Sequence, residues 1–259
     1  MKALIGHTGF VGTSLKRQTQ FDCCYASANI ADIRGQSFGT LVCSAAPAMK
    51  WVADRDPEAD FANISLLADH LAAAHARQVV LISTVDVFAD CRGCDEDSAT
   101  DQGTLTAYGR NRLWLEQFVA EHFPAVLIVR LPGLIGPGLR KNALFDLHNE
   151  NALDKVDARG RFQFYPMVQL WNDIITALAA GLNLVHFSAE PVLVSEVARA
   201  AFGRSFDNEL DRPPAEYDLH SKHAALLGGS GPYLYSARES LLAISAYAQS
   251  EPRRAALTK

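Results

Sequence analysis

The chain has 259 residues, 49% of them hydrophobic, and carries 24 Lys and Arg against 29 Asp and Glu for a formal charge of −5. Such a chain can bury a sizeable α/β core, and its scattered cations leave no footprint for nucleic acid or an anionic membrane surface. No apolar run approaches the roughly 18 residues that cross a bilayer, and Ala3-Leu4-Ile5 is too short for a signal-peptide core, so the expected address is the cytoplasm, where five cysteines, an odd number, stay as thiols.

In chain order, strands are expected at 2–5, 22–26, 40–44, 79–83 and 125–131. The runs Val79-Val80-Leu81-Ile82 and Val126-Leu127-Ile128-Val129 lack polar alternation, as central strands covered on both faces do. A helix is expected over 57–75, opening on Pro57-Glu58, with Phe61, Ile64, Leu67, Ala68 and Leu71 recurring at three and four. A second spans 104–122, with Leu113, Leu115, Phe118 and Val119 as its apolar stripe and Pro124 as its stop. This alternation predicts an α/β fold, a Rossmann-type doubly wound parallel sheet with a small C-terminal substrate-binding region. Residues 1–135 are the expected dinucleotide-binding core, with additions near 162–187. Residues 136–259 are the expected smaller, partly interleaved substrate region, containing a helix over 236–249.

The chemistry begins at Gly6-His7-Thr8-Gly9-Phe10-Val11-Gly12. Gly6, Gly9 and Gly12 follow a strand and open a helix, so the backbone can turn tightly, approach a pyrophosphate and offer it the helix N-terminus. Thr8, Phe10 and Val11 belong to the same cofactor-binding turn, and His7 shapes the loop or touches phosphate.

The spacing of these glycines resembles that of the extended short-chain dehydrogenase/reductase family, in its NAD-dependent epimerase/dehydratase branch. Further stretches follow in the family's order across roughly the first 180 residues. Cys43-Ser44-Ala45-Ala46-Pro47 resembles the small-residue segment that lines the cofactor, implying contacts from Ser44, Ala45 and Ala46. Asn63 stands where the family often has a cofactor-side asparagine, and reads equally well as a helix-surface amide. Ile82-Ser83-Thr84-Val85-Asp86-Val87-Phe88 resembles the fourth-strand signature, closest in style to dTDP-4-dehydrorhamnose reductase-like proteins. It implies Ser83 beside the cofactor and Thr84 as the hydroxyl that orients substrate oxygen.

Tyr108-Gly109-Arg110-Asn111-Arg112 lies in the place of the family's Tyr-x-x-x-Lys. The resemblance implies Tyr108 as acid/base, with a cation one helical turn away favouring its phenolate. Arg112 replaces the lysine, and its planar fork does not reproduce a compact ammonium that reaches ribose hydroxyls. Two outcomes follow: an NAD(P)-dependent oxidoreductase or epimerase acting on a hydroxyl or carbonyl of a sugar-like molecule, or a cofactor-binding regulatory protein without turnover. The fifth-strand segment through Leu131-Pro132-Gly133 implies Leu131 at the cofactor, but Gly133 stands where many relatives carry a substrate-contacting asparagine. Asp173 reads either as part of the family's Val-x-Asp-Ile stretch or as an N-terminal helix charge.

No acidic residue directly follows the second strand. Ser27 and Asn29 stand there as donors, a slight lean toward NADP over NAD. Cys91-Arg92-Gly93-Cys94 has metal or redox spacing without further ligands, so no metal is expected. The aromatics of Phe162-Gln163-Phe164-Tyr165 and Trp171 read as core before they read as a stacking wall. The expected partner is a sugar or nucleotide sugar, with a homodimer through the two long helices.

Overall fold

The structure is a computed structural model that describes residues 1–253. It contains two compact units. The first comprises Met1–Cys91, Glu96–Leu131 and Leu170–His186. Its centre is a six-stranded, all-parallel sheet of the Rossmann type. The strands are β1 (Lys2–Ile5), β2 (Cys23–Tyr25), β3 (Ser37–Cys43), β4 (His75–Thr84), β5 (Val126–Leu131) and a last strand, Leu184–His186. Their order is β2-β1-β3-β4-β5 followed by Leu184–His186. The chain steps outward from β1 to β2 and then returns to pair β3 on the other side of β1. That reversal creates a crevice at the carboxyl ends of β1 and β3, where doubly wound sheets take their ligands.

Helices α1 (Phe10–Gln18), α2 (Lys50–Arg55), α3 (Pro57–Ala72), α4 (Ala107–His122) and the segment Leu170–Ala179 complete the unit. Every residue of β5 is buried, and Val79, Val80 and Leu81 of β4 are at most 1% exposed, which the unbroken apolar runs require. The helix over 57–75 ends at Ala72, and β4 starts at His75. The polar start of β4 still pairs with β3, because His75 and Ala76 lie opposite Ser37 and Phe38 at the sheet's amino end. At its other end α3 opens on an Asp56 carboxylate that accepts from Ala59 N, with Pro57 in the first turn. Helix α4 starts at Ala107 rather than near Thr104, since the Asp101 carboxylate caps a separate 3-10 turn over Gln102–Thr104.

The second unit comprises Arg92–Asp95, Pro132–Gln169 and, among the described residues, 187–253. It holds two small two-stranded sheets, Gly133–Ile135 with Phe164–Pro166 and Arg161–Phe162 with Val192–Leu193. Its helices are Ala143–Asn149, Val194–Phe202 and Ala237–Ser250, the last opened by a Ser236/Glu239 capping box. Phe164 and Tyr165 are buried, and Tyr165 stacks on Phe187 with ring centroids 5.4 Å apart, so these aromatics are core. A side chain at Gly133 would place Cβ 2.6 Å from the Gln163 carbonyl oxygen, which explains the glycine at that position. Among the described residues no helix is long and apolar enough to cross a membrane. None of their His, Cys, Asp and Glu residues gather in threes to hold a metal, and the five cysteines are unbridged.

Candidate functional site

Two sets of residues lie along the carboxyl side of the parallel sheet in the first unit. The first is the glycine turn after β1. Gly6 has φ +86°, and a Cβ there would come within 2.6 Å of the Ser44 carbonyl oxygen. A Cβ on Gly12 would come within 2.2 Å of the Gly6 carbonyl, so α1 can pack this close to the turn only without a side chain. Gly9 differs, because its nearest neighbour would be Gly6 O at 3.4 Å. It is the N-cap of α1, no side chain caps the helix, and no acidic residue occupies the first turn. The first amides of α1 are therefore presented to an anion, with Thr8 and Gly9 exposed and Phe10 and Val11 half-buried around them.

The surrounding residues hold this cradle in shape. The Gly6 amide donates to Tyr25 O at 2.8 Å, and His7 Nδ1 lies 3.0 Å from the same carbonyl, which gives the histidine a loop-shaping role. Ser44 donates from both its amide and its hydroxyl to Ile5 O, tying β3 to β1 beside the turn, with Ala45 and Ala46 following. After β2, Ser27 is exposed, whereas the Asn29 amide closes its own turn by accepting from Ala26 N at 2.7 Å and donating to Cys24 O at 3.3 Å.

The second set forms where the end of β4 meets α4. Thr84, the last residue of β4, is 9% exposed. Its hydroxyl accepts from Asp86 N at 3.2 Å and lies 3.3 Å from Asp86 Oδ2, and α4 approaches this turn closely. Gly109 makes this approach possible, since a Cβ there would meet the Asp86 carbonyl oxygen at 2.0 Å. Tyr108 is 8% exposed, and its amide donates to the Asp54 carboxylate of α2 at 3.0 Å. Burial raises the phenol above its ordinary pKa and the Asp86 charge adds to the rise, while Arg112 first, then the nearby Thr84 hydroxyl and Lys50, pull the other way.

Arg112 sits over this phenol differently from what a free cation would do. Its guanidinium carbon is 4.0 Å from the centre of the Tyr108 ring, a cation–π contact with the ring face. Its hydrogen bonds all point elsewhere: two to the Asp60 carboxylate of α3, one to Pro47 O and one to Tyr108 O. Arg112 and Asp60 are 3% and 7% exposed, and Asn111 adds a bond of 2.8 Å to the same carboxylate. A second buried pair, Arg130 with Glu116, lies close by and engages the Ser83 hydroxyl. Ser83 and the buried Leu131 thus border the site with one side chain committed to packing polarity and the other apolar.

Lys50, Asp54, Asp60 and Asp86 are site residues that sequence reasoning did not single out. Lys50 Nζ reaches Asp86 Oδ1 at 2.6 Å, with the lysine side chain 43% exposed. Asp86 lay within the quoted fourth-strand stretch, two residues past Thr84. Asn63 is exposed on α3, and Asp173 lies buried in the first turn of Leu170–Ala179. Trp171 packs on Phe21 and the Lys2 ammonium, 4.6 Å from its ring centroid, at the amino end of β1 and so at the opposite end of that strand from the glycine turn.

No known protein-family profile matches this chain, and no curated protein sequence matches it. Solved structures do share its fold. A dTDP-4-dehydrorhamnose reductase from Yersinia enterocolitica superposes with a TM-score of 0.71 at 16% identity, over 95% of this chain and 98% of that one. The RMD protein of Pseudomonas aeruginosa, solved with NADPH, gives 0.73 at 16% identity, over 96% and 99%. A UDP-glucuronic acid 4-epimerase variant from Bacillus cereus, solved with NAD and a fluorinated UDP-sugar, gives 0.72 at 17%, over 96% and 99%. At these identities the likeness establishes a shared fold over almost the whole chain, with the Rossmann sheet in its first unit.

Proposed function

We propose that this chain is an extended short-chain dehydrogenase/reductase: an NAD(P)-dependent oxidoreductase or epimerase acting on a hydroxyl or carbonyl of a sugar-like substrate such as a nucleotide sugar. The observation that carries the reading is the glycine cradle that side chains would fill, on the same side of the sheet as the buried Thr84 at the carboxyl end of β4 and the buried Tyr108 of α4. The cradle fits a dinucleotide, with Gly6, Gly9, Gly12 and the uncapped start of α1 taking the pyrophosphate, and Ser44, Ala45 and Ala46 bordering it. A nicotinamide held there would supply or accept hydride. Tyr108 transfers the proton at the substrate oxygen, Thr84 orients that oxygen, and the Arg112 charge over the ring favours the phenolate.

A slight preference for NADP over NAD rests on the absence of a carboxylate directly after β2, where Ser27 and the remaining Asn29 hydrogen can donate to a 2′-phosphate. A homodimer through α3 and α4 is favoured by Phe61 and Leu66, exposed on α3 at 40% and 54%. Light scattering that finds only monomer at micromolar concentration would remove it.

The test is titration with NADPH, followed by fluorescence, and then hydride transfer to a panel of 4-keto nucleotide sugars. NADPH is expected to bind wild-type protein and to bind Gly12→Ala more than about tenfold more weakly, since the added methyl displaces the turn. Binding without turnover on any member of the panel would favour the second reading, a cofactor-binding regulatory protein, which the engagement of Arg112 by Asp60 supports. Equal binding by wild type and Gly12→Ala would sink both.

A further inference from the structure

We propose that His7, the second residue of the glycine turn, is a specificity-determining residue that reads the 2′ position of the cofactor's adenosine ribose. As a neutral imidazole it accepts from the 2′-hydroxyl of NAD, and as an imidazolium it donates to the 2′-phosphate of NADP. The inference rests on the glycine turn holding a nicotinamide dinucleotide, and it gives the choice between the two cofactors a residue and a pH dependence.

The ring of His7 reaches from the turn to the last residue of β2, where its Nδ1 lies 3.0 Å from the Tyr25 carbonyl oxygen. A carbonyl oxygen only accepts, so Nδ1 carries the hydrogen of the neutral ring. Nε2 is then left with a bare lone pair, and it becomes a donor only by gaining a proton. Among the described residues Nε2 has no hydrogen-bond partner, and it is open to solvent on a half-buried side chain. The backbone on both sides of the ring is pinned. The Gly6 amide donates to the same Tyr25 carbonyl at 2.8 Å, and the Thr13 hydroxyl of α1 donates to His7 O at 3.4 Å. Gly12 presses on the turn so closely that a Cβ there would come within 2.8 Å of the His7 Cα.

In doubly wound sheets the pyrophosphate sits on the turn after β1, and the ribose hydroxyls of the adenosine face the end of β2. The His7 ring bridges those two places. A carboxylate directly after β2 is replaced by the exposed Ser27, and the Asn29 amide is engaged with Ala26 N and Cys24 O. A bare Nε2 and a phosphate oxygen are both acceptors and repel, whereas Nε2 with a hydroxyl, or an imidazolium with a phosphate, is a matched pair. The packed elements bring few titratable groups. Helix α1 opens without an acidic residue and carries its cations Lys16 and Arg17 in the last turn. Strand β2 brings Cys23, Cys24 and the Tyr25 phenol, which burial holds above its ordinary pKa and on which Asp32 also acts. Strand β1 ends in Leu4 and Ile5, and β3 in Cys43, a thiol that burial pushes up to about 11. Histidine is the side chain whose charge ordinarily changes between pH 5 and 8. Falling pH therefore places a proton on Nε2 and turns the preference toward NADP, and rising pH removes it and turns the preference toward NAD.

The experiment measures the Kd of the full-length protein for NADPH and for NADH by fluorescence at pH 6.5 and 8.5. The wild-type preference for NADPH, taken as the ratio of the two Kd values, is expected to rise about fivefold or more between pH 8.5 and pH 6.5. His7→Asn keeps an amide donor for Tyr25 O and has nothing in the place of Nε2, while His7→Gln puts a non-titrating amide there. In both variants the ratio is expected to change less than about twofold over the same range, which also accounts for the 2′-phosphate's own protonation near pH 6. A second readout is the histidine ¹H–¹³C NMR titration, with the His7 signal identified by its absence in either variant. Its midpoint should rise on saturation with NADPH and not on saturation with NADH. A ratio that stays constant in wild type, or changes as much in both variants, overturns the His7 role and leaves the cofactor reading in place. Failure of either dinucleotide to bind at both pH values removes the cofactor reading and the His7 role with it.

Discussion

Two cation–carboxylate pairs flank Tyr108, and the protein treats them in opposite ways. Arg112 and Asp60 join α4 to α3 at 3% and 7% exposure, whereas Lys50 and Asp86 join α2 to the end of β4 at 43% and 19%. The first pair has surrendered its water, so each charge depends on the other, and its guanidinium hydrogen bonds lead away from the phenol oxygen. The second keeps one face in solvent, and its carboxylate lies 3.3 Å from the Thr84 hydroxyl. The contrast teaches that a charge beside a proposed acid/base residue can serve folding, proton chemistry or both, and that burial together with hydrogen-bond direction shows which part belongs to folding. Arg112 holds the helix pair and, lying over the ring, is also the stronger of the two cations that favour the phenolate, with Lys50 the weaker.

Substitutions sharpen that contrast. The largest effect is expected outside both pairs: Tyr108→Phe keeps the ring under Arg112 and removes the hydroxyl, and kcat on an accepted substrate should fall by about 10²–10⁴ with NADPH binding retained. A smaller fall than tenfold would place the acid/base elsewhere. Next comes Arg112→Met, which strands the Asp60 carboxylate inside the helix pair and should cost about 3–5 kcal/mol of stability in urea unfolding. Asp60→Asn should destabilise in the same direction, and stability unchanged in both would break the structural assignment of this pair. The smallest stability change is expected from Lys50→Met, within about 1 kcal/mol of wild type, since its ion pair is partly hydrated. A loss as large as that of Arg112→Met would erase the distinction between the pairs.

Much of the first unit was legible because its signals are local. The glycine turn, the apolar runs of β4 and β5 and the periodic faces of α3 and α4 each lie within a few residues of sequence, and each dictates its own backbone. Thr84 and Tyr108 were legible through their order along the chain. The partners that decide how these residues behave were not, because they come from far away: Asp60 lies 52 residues from Arg112, and Lys50 lies 36 from Asp86. Helix α2, which delivers Lys50 and Asp54, is six residues long and shows no period that could announce it. In the second unit the helix Ala237–Ser250 was legible, but the rest consists of strands of two or three residues and shorter helices, whose pairing depends on close approaches such as Gly133 to Gln163 rather than on pattern.

The account stands on the glycine turn and Tyr108 belonging to one cofactor site. The most direct measurement is the ¹⁹F spectrum of 3-fluorotyrosine-labelled protein during titration with NADPH, with occupancy followed by fluorescence in parallel. The Tyr108 resonance, identified by its absence in Tyr108→Phe, should move in step with occupancy in wild type and stay in place in Gly12→Ala at the same NADPH concentrations. Saturation of the wild type with no movement of that resonance would contradict the account.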